Sequence, residues 1–177
     1  MNARFVKALA AVFLFNSALF LCVQEQLLAG EKEEDAKKYT DQLHKSKDAK
    51  SKITALQQLG TLAQIKKSLI TPALPDVYKA VEDKDAAVRA AAAETLGKAD
   101  EPYEKVGDIL VKLIKDDKDE NVKIAAIHGL AVMRESAKDA LPAIRDVVKA
   151  NAGDKKSKLG LAAKDAVKAI SGTGKKN

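Results

Sequence analysis

Residues 83–97, DKDAAVRAAAAETLG, and residues 117–130, DKDENVKIAAIHGL, superpose without a gap from Asp83 on Asp117 to Leu96 on Leu130, a spacing of 34. A step of 37 back puts DAKSKITALQQLG, Asp48 to Gly60, in the same register, with Lys52 under Arg89 and Leu59 under Leu96. A step of 37 forward puts KSKLGLAAKDAVKAI, Lys156 to Ile170, there too, with Leu159 under Val122, Ala163 under Ala126 and Val167 under Leu130. Self-similarity at such a period means one supersecondary unit copied along the chain. A lone unit cannot bury its apolar stripe, so successive units stack and share a core.

Three of the four copies are preceded by a second periodic segment: ALPDVYKAV from Ala73, VGDILVKLI from Val106 and ALPAIRDVV from Ala140. Apolar residues at 74, 77, 78 and 81, and at 106, 109, 110, 113 and 114, follow the i, i+3, i+4, i+7 rule of an amphipathic helix. Strict alternation of apolar and polar residues is absent, so strands are not expected. Asp85 and Asp119 stand where a carboxylate accepts from the free N–H groups of a first turn, and Thr71-Pro72 and Glu101-Pro102 read as further helix starts. Gly60 and Gly97 are read as lying near the ends of their helices and Gly153 between two, where an αL residue or a turn is needed, and Pro75 and Pro142 as early-turn prolines or kinks. Thin Ala90, Ala92 and Ala93 allow close helix approach, while Leu96, Leu110, Leu113 and Leu130 are expected to fill the seam.

Composition agrees with helix packing: 46% of residues are hydrophobic but only 4% aromatic, with no Trp, which leaves Ala, Leu, Val and Ile to build the core. The net charge of +6 admits a polyanionic partner, but Lys alternates with Asp and Glu, as in Asp116, Asp117, Lys118, Asp119 and Glu120, so local fields cancel. Nucleic acid is therefore not the expected partner, and a solvated basic end is the plainer reading of residues 173–177 with Lys155, Lys156 and Lys158.

Residues 1–30 have another character. Arg4 and Lys7 precede an apolar stretch from Ala8 to Val23, and Leu-Leu-Ala-Gly follows a polar run. That is the layout of a secretory signal peptide, or of a signal anchor if it stays attached. It implies export to the periplasm, cell envelope or exterior, with membrane contact only through this segment. Cys22, the one cysteine, ends the apolar run where a lipidated cysteine would also sit, and without it the remaining chain has no thiol or Cys-based metal site. The expected organisation is a signal peptide or anchor over 1–30, a repeat domain over 31–172 with units at 31–62, 72–98, 102–133 and 137–171, and a flexible basic tail over 173–177.

The string D-K-D-x-x-V-[RK]-x-A-A, at Asp83 to Ala92 and again at Asp117 to Ala126, resembles HEAT repeat proteins, in particular the short bacterial repeats related to phycobilin lyases. The resemblance covers about residues 36–171 and implies an all-α, right-handed α-solenoid of about four antiparallel helix pairs. It also implies that the acidic and basic residues opening each second helix tie neighbouring units together, which assigns Asp85 with Arg89 and Asp119 with Lys123. The end copies depart from the pattern, with Ser51 in place of Val and Gly160 in place of the basic residue, as terminal repeats often do.

Signatures of chemistry are missing. His44 and His128 lie in different copies with no metal-ligand spacing, and no G-x-S-x-G, P-loop or G-x-G-x-x-G string occurs. No catalytic residue, metal or cofactor is expected. Gln57, Glu94, His128 and Asp165 share one column of the second helices. In HEAT-like arrays those helices line the concave face, so Gln57, Glu94 and His128, flanked by Lys52 and Arg89, are candidates for a binding groove, with a solvated polar stripe as the plainer alternative. Tyr39, Tyr78 and Tyr103 read as core packing, since no interleaving with basic residues suggests base stacking. The expected function is monomeric, non-catalytic protein binding or scaffolding. The rivals are a lyase-like or chaperone-type enzyme-associated subunit and a polyanion binder using the Lys-rich end.

Overall fold

The computed structural model describes residues 30–172, so the expected signal segment, Cys22 and the basic tail lie outside the described residues. Among the described residues eight helices alternate as first and second members of four pairs. They are α1 (30–45), α2 (Ala49–Ile65), α3 (Leu74–Ala80), α4 (Ala86–Lys98), α5 (Tyr103–Asp116), α6 (Glu120–Met133), α7 (Leu141–Ala150) and α8 (Lys158–Ile170). Short 3-10 turns at Lys67–Leu69, Thr71–Ala73 and Arg134–Ala140 carry the chain between pairs. Among the described residues there is no strand, and the architecture is an all-α repeat solenoid.

Every second helix starts on a similar device, a short side chain just ahead of the cap that accepts a backbone N–H. In the first three it stands two residues before the cap and takes the cap residue's own N–H: Ser46 Oγ from Asp48 at 3.2 Å, Asp83 Oδ1 from Asp85 at 2.9 Å and Asp117 Oδ1 from Asp119 at 2.9 Å. In α8 it stands three residues before Ser157, where Asp154 Oδ1 takes the Lys156 N–H at 2.8 Å. The turn so formed aims the next polar side chain at the first helical N–H groups. Asp48 accepts from Ser51, Asp85 from Ala87 and Val88, Asp119 from Asn121 and Val122, and Ser157 from Gly160. Pro75 and Pro142 sit in the first turns of α3 and α7, where their missing N–H costs no helical bond.

The second helices form one continuous layer, α2 against α4, α4 against α6 and α6 against α8, whereas the first helices touch each other sparsely, as at α5 and α7. The closely packed layer of second helices is termed the inner layer, and the looser layer of first helices the outer one. Leu56, Leu59, Val88, Leu96, Val106, Leu110, Val122, Ile127, Leu130, Ile144 and Ile170 are fully buried in one seam, and Tyr39, Tyr78 and Tyr103 pack against it half-buried. Thr95, buried on α4, places its hydroxyl 2.9 Å from the Leu56 carbonyl on α2 and 2.8 Å from that of Ala91, so its donor is satisfied inside the core.

Gly97 is the penultimate residue of α4, near its end as expected, while Gly60 lies five residues inside α2; neither takes the left-handed conformation, and the residues with positive φ beyond α4 and α6 are Asp100 and Arg134, each at 51°. At Gly97 the absent side chain serves close approach instead. A Cβ there would collide with the backbone of Gly129 on α6, its carbonyl oxygen lying 2.6 Å away, and a Cβ on Gly129 would sit 2.9 Å from the Ala93 carbonyl oxygen.

Candidate functional site

The residues singled out at the starts of the second helices hold the stack together, though not in the expected pairs. Arg89 does not pair with Asp85. Its guanidinium forks onto Asp117 at the start of the next unit, Nε to Oδ2 at 2.7 Å and Nη2 to Oδ1 at 2.9 Å, while Nη1 donates to the Asp83 carbonyl at 2.8 Å. Asp85 and Asp119 are occupied as caps of their own helices. Lys52 makes the equivalent tie one unit earlier, with its Nζ 2.6 Å from Asp83 Oδ2. The true rungs are therefore Lys52–Asp83 and Arg89–Asp117, each running from a second helix to the turn before the next one. Among the described residues Lys123 makes no rung: the carboxylate in that column, Asp154, stands exposed in a connection four residues longer than that between α5 and α6.

The side chains of Arg89 and Asp117 are only 18% and 6% exposed. The Arg89 hydrogen bonds and the Asp119 N–H hold the Asp117 carboxyl below the ordinary carboxylate range, against burial, and Arg89 is raised in turn, chiefly by its bond to Asp117. For Asp83 the largest influence is the backbone N–H of Asp85, followed by Lys52, and its carboxyl is likewise lowered. Lys52 and Arg89 are thus engaged in joining units and are not free to meet a partner.

A second tie joins the opposite ends of the pairs. Glu101, with a side chain 5% exposed, is gripped by Lys67 from the preceding inter-pair turn and by Lys105 from α5, each at 3.1 Å. Burial pushes this carboxyl up, but the two ammonium groups outweigh it and hold it below its ordinary value. Lys67 also donates to the Asp100 carbonyl at 2.6 Å, fixing the turn where Asp100 takes its positive φ.

The remaining candidates lie on the inner layer. Gln57 and His128 are exposed and Glu94 is half-buried, in one column across α2, α4 and α6. Ile65, Val132 and Leu161, 58%, 47% and 47% exposed, are the exposed large hydrophobic residues among those described, and all three stand on second helices. Ile65, Val132 and Met133 line an open groove of about 470 Å³ across the C-terminal ends of α2, α4 and α6, with Lys66, Lys98 and Asp100 at its rim.

A family model for HEAT repeats matches residues 36–131. The chain belongs to the HEAT repeat family. No curated protein matches it significantly. The matched span runs from within α1 to near the end of α6, the part carrying both rungs, and stops short of α7 and α8. HEAT repeats are in general protein-interaction scaffolds. This HEAT stack offers a preformed surface of polar and apolar side chains, and among its described residues no group of three or more His, Cys, Asp and Glu is placed to hold a metal ion.

Proposed function

We propose that this HEAT protein is a non-catalytic scaffold of the cell envelope that binds a protein partner on the inner layer formed by α2, α4, α6 and α8. The observation that carries the reading is the confinement of Ile65, Val132 and Leu161 to that layer. Single exposed apolar residues are ordinary, but their collection on one helix layer beside the Gln57, Glu94 and His128 column makes a surface with apolar anchors and a polar setting. Envelope location rests on the signal-like pattern of residues 1–30. Binding needs no rearrangement of the stack, because both rungs and the Glu101 tie already fix each unit against the next.

The test uses the tagged chain in its native cells, with partners recovered from the envelope fraction by Ile65→Asp/Val132→Asp, by Glu94→Lys/His128→Glu and by Lys112→Glu/Lys115→Glu on the outer helix α5. Loss of the same captured protein from the first two variants and its retention by the third is expected. Capture unchanged by both inner-layer variants would refute the reading.

A further inference from the structure

The last pair closes the stack differently from the others. Lys164, Val167 and Lys168 of α8 share columns with Ile127, Leu130 and Ala131 of α6 and with Ala93, Leu96 and Gly97 of α4. Ile127, Leu130, Ala93 and Leu96 are all fully buried, because a further unit covers the face they present. In α8 no unit follows among the described residues, so Lys164 and Lys168 are exposed and Val167 is half-buried. On α7, Val148 stands where α5 has buried Ile114, and Arg145 where it has Val111. Between α7 and α8 this leaves an open groove of about 460 Å³, floored by Val148 and Val167 and rimmed by Arg145, Lys149, Lys164 and Lys168.

A terminal repeat needs a polar outer face for solubility. Solubility alone does not require one sign of charge, yet all four polar lining residues are cations and no carboxylate lines the groove. Asp146 and Asp165 reach Lys149 and Lys168 at 3.4 and 3.1 Å as exposed i, i+3 pairs, which are weak, while Arg145 and Lys164 form no recorded ion pair among the described residues. The shape is that of a helix seat, since the same two-helix groove one unit earlier receives α7 and α8, and helices pack at about 8–10 Å between axes.

We propose that the open end of the stack between α7 and α8 is a docking site for an acidic amphipathic helix of another protein, laid where a helix of a fifth repeat would pack. Its apolar stripe meets Val148 and Val167, and its flanking carboxylates meet Arg145, Lys149, Lys164 and Lys168. A second copy of this chain is a poorer match. The opposite end of the stack offers the uncharged Thr54, Gln58 and Thr61 of α2, and α1 mixes Glu31, Glu33 and Glu34 with Lys32, Lys37 and Lys38.

The test titrates the full chain against a fluorescein-labelled synthetic helix of about 15 residues, with Leu at i, i+3, i+4, i+7 and Glu beside that stripe, and against the same peptide with Lys for Glu. Wild type should bind the acidic peptide and not the basic one. Lys164→Glu/Lys168→Glu should weaken the acidic peptide at least about tenfold and gain the basic one, Arg145→Glu should also weaken it, and Lys112→Glu/Lys115→Glu on α5 should leave it unchanged. Circular dichroism melts confirm that the variants fold, as expected for exposed positions. Parallel arms use vesicles of phosphatidylcholine with about one third phosphatidylglycerol, and sedimentation of the chain alone. The proposal is overturned by acidic-peptide binding that survives Lys164→Glu/Lys168→Glu, by no binding, by retention on vesicles without peptide binding, or by self-association that the double reversal abolishes.

Discussion

Gly60 and Gly97 occupy the same column of successive second helices, yet the same substitution should move stability in opposite directions at the two sites. In a helix interior, Gly→Ala gains roughly 0.5–1 kcal/mol by restricting the unfolded chain and favouring the helical state. At Gly60 that gain survives, since a Cβ would meet Lys98 Cδ and Thr95 Oγ1 at 3.4 Å, an ordinary contact. At Gly97 the Cβ drives into the Gly129 backbone, with the carbonyl oxygen at 2.6 Å, and no flexible side chain is there to yield. Overpacking costs about 1–3 kcal/mol, and a backbone obstruction between two well-packed helices belongs at the upper end. The net for Gly97→Ala is then a loss of about 2 kcal/mol, or roughly 4–8 °C in melting temperature for a domain of this size, against a rise of about 1–3 °C for Gly60→Ala. Thermal melts followed by circular dichroism at 222 nm, on both variants and the wild type at one concentration, decide the matter. A Gly97→Ala variant melting at or above wild type would refute the close approach of α4 and α6.

The inter-unit rungs give further expectations. Asp117→Ala strands a largely buried guanidinium and should cost roughly 3 kcal/mol, whereas Asp119→Ala removes only a helix cap at about 1 kcal/mol, and urea titrations of both rank the two roles. Lys123→Met, at the column with no recorded rung, should stay within about 0.5 kcal/mol of wild type by the same measurement. Because Asp83, Asp117 and Glu101 have lowered carboxyl values in the fold, their contribution is fully present above their ordinary values of 3.8 and 4.5 and is lost as pH falls through the lowered ones. The melting temperature should therefore fall as pH is taken below about 4, and Asp117→Asn, already missing one of these groups, should lose less over that interval. Leu130→Asp places an unpaired charge in the fully buried seam and should abolish the cooperative melt altogether.

Fold and caps could be read from the chain because they depend on local chemistry repeated in register. Asp85 and Asp119 announce helix starts, the 34- and 37-residue offsets announce stacking, and the columns of Leu96, Leu110 and Leu130 announce the seam. The rung partners could not be read the same way. D-K-D offers two carboxylates two residues apart, and which one caps and which one receives a neighbour's cation is fixed by a turn geometry that the letters do not contain. From the sequence Glu101 reads only as a helix start, since its burial depends on Lys67 arriving from the previous turn. The sole trace in the sequence is that Lys67 and Glu101 lie one 34-residue repeat apart. Gly97 reads as a glycine near a helix end, where such residues are common, and only the close approach of α4 to α6 shows that its lack of a side chain is spent on contact. Of the five candidate binding residues, Lys52 and Arg89 make the inter-unit ion pairs, while Gln57, Glu94 and His128 share a column of the second helices. Nothing in those three side chains specifies a partner, because a binding surface is a property of shape and neighbourhood before it is one of any single residue.

Site-specific photocrosslinking in the native cells tests the scaffold reading most directly, with a benzophenone amino acid placed in turn at His128 on the inner layer and at Lys115 on α5. A discrete protein adduct from His128 that is missing from Lys115 is the expected result. Equal adducts from both positions, or none from His128, would contradict a partner seated on the second helices.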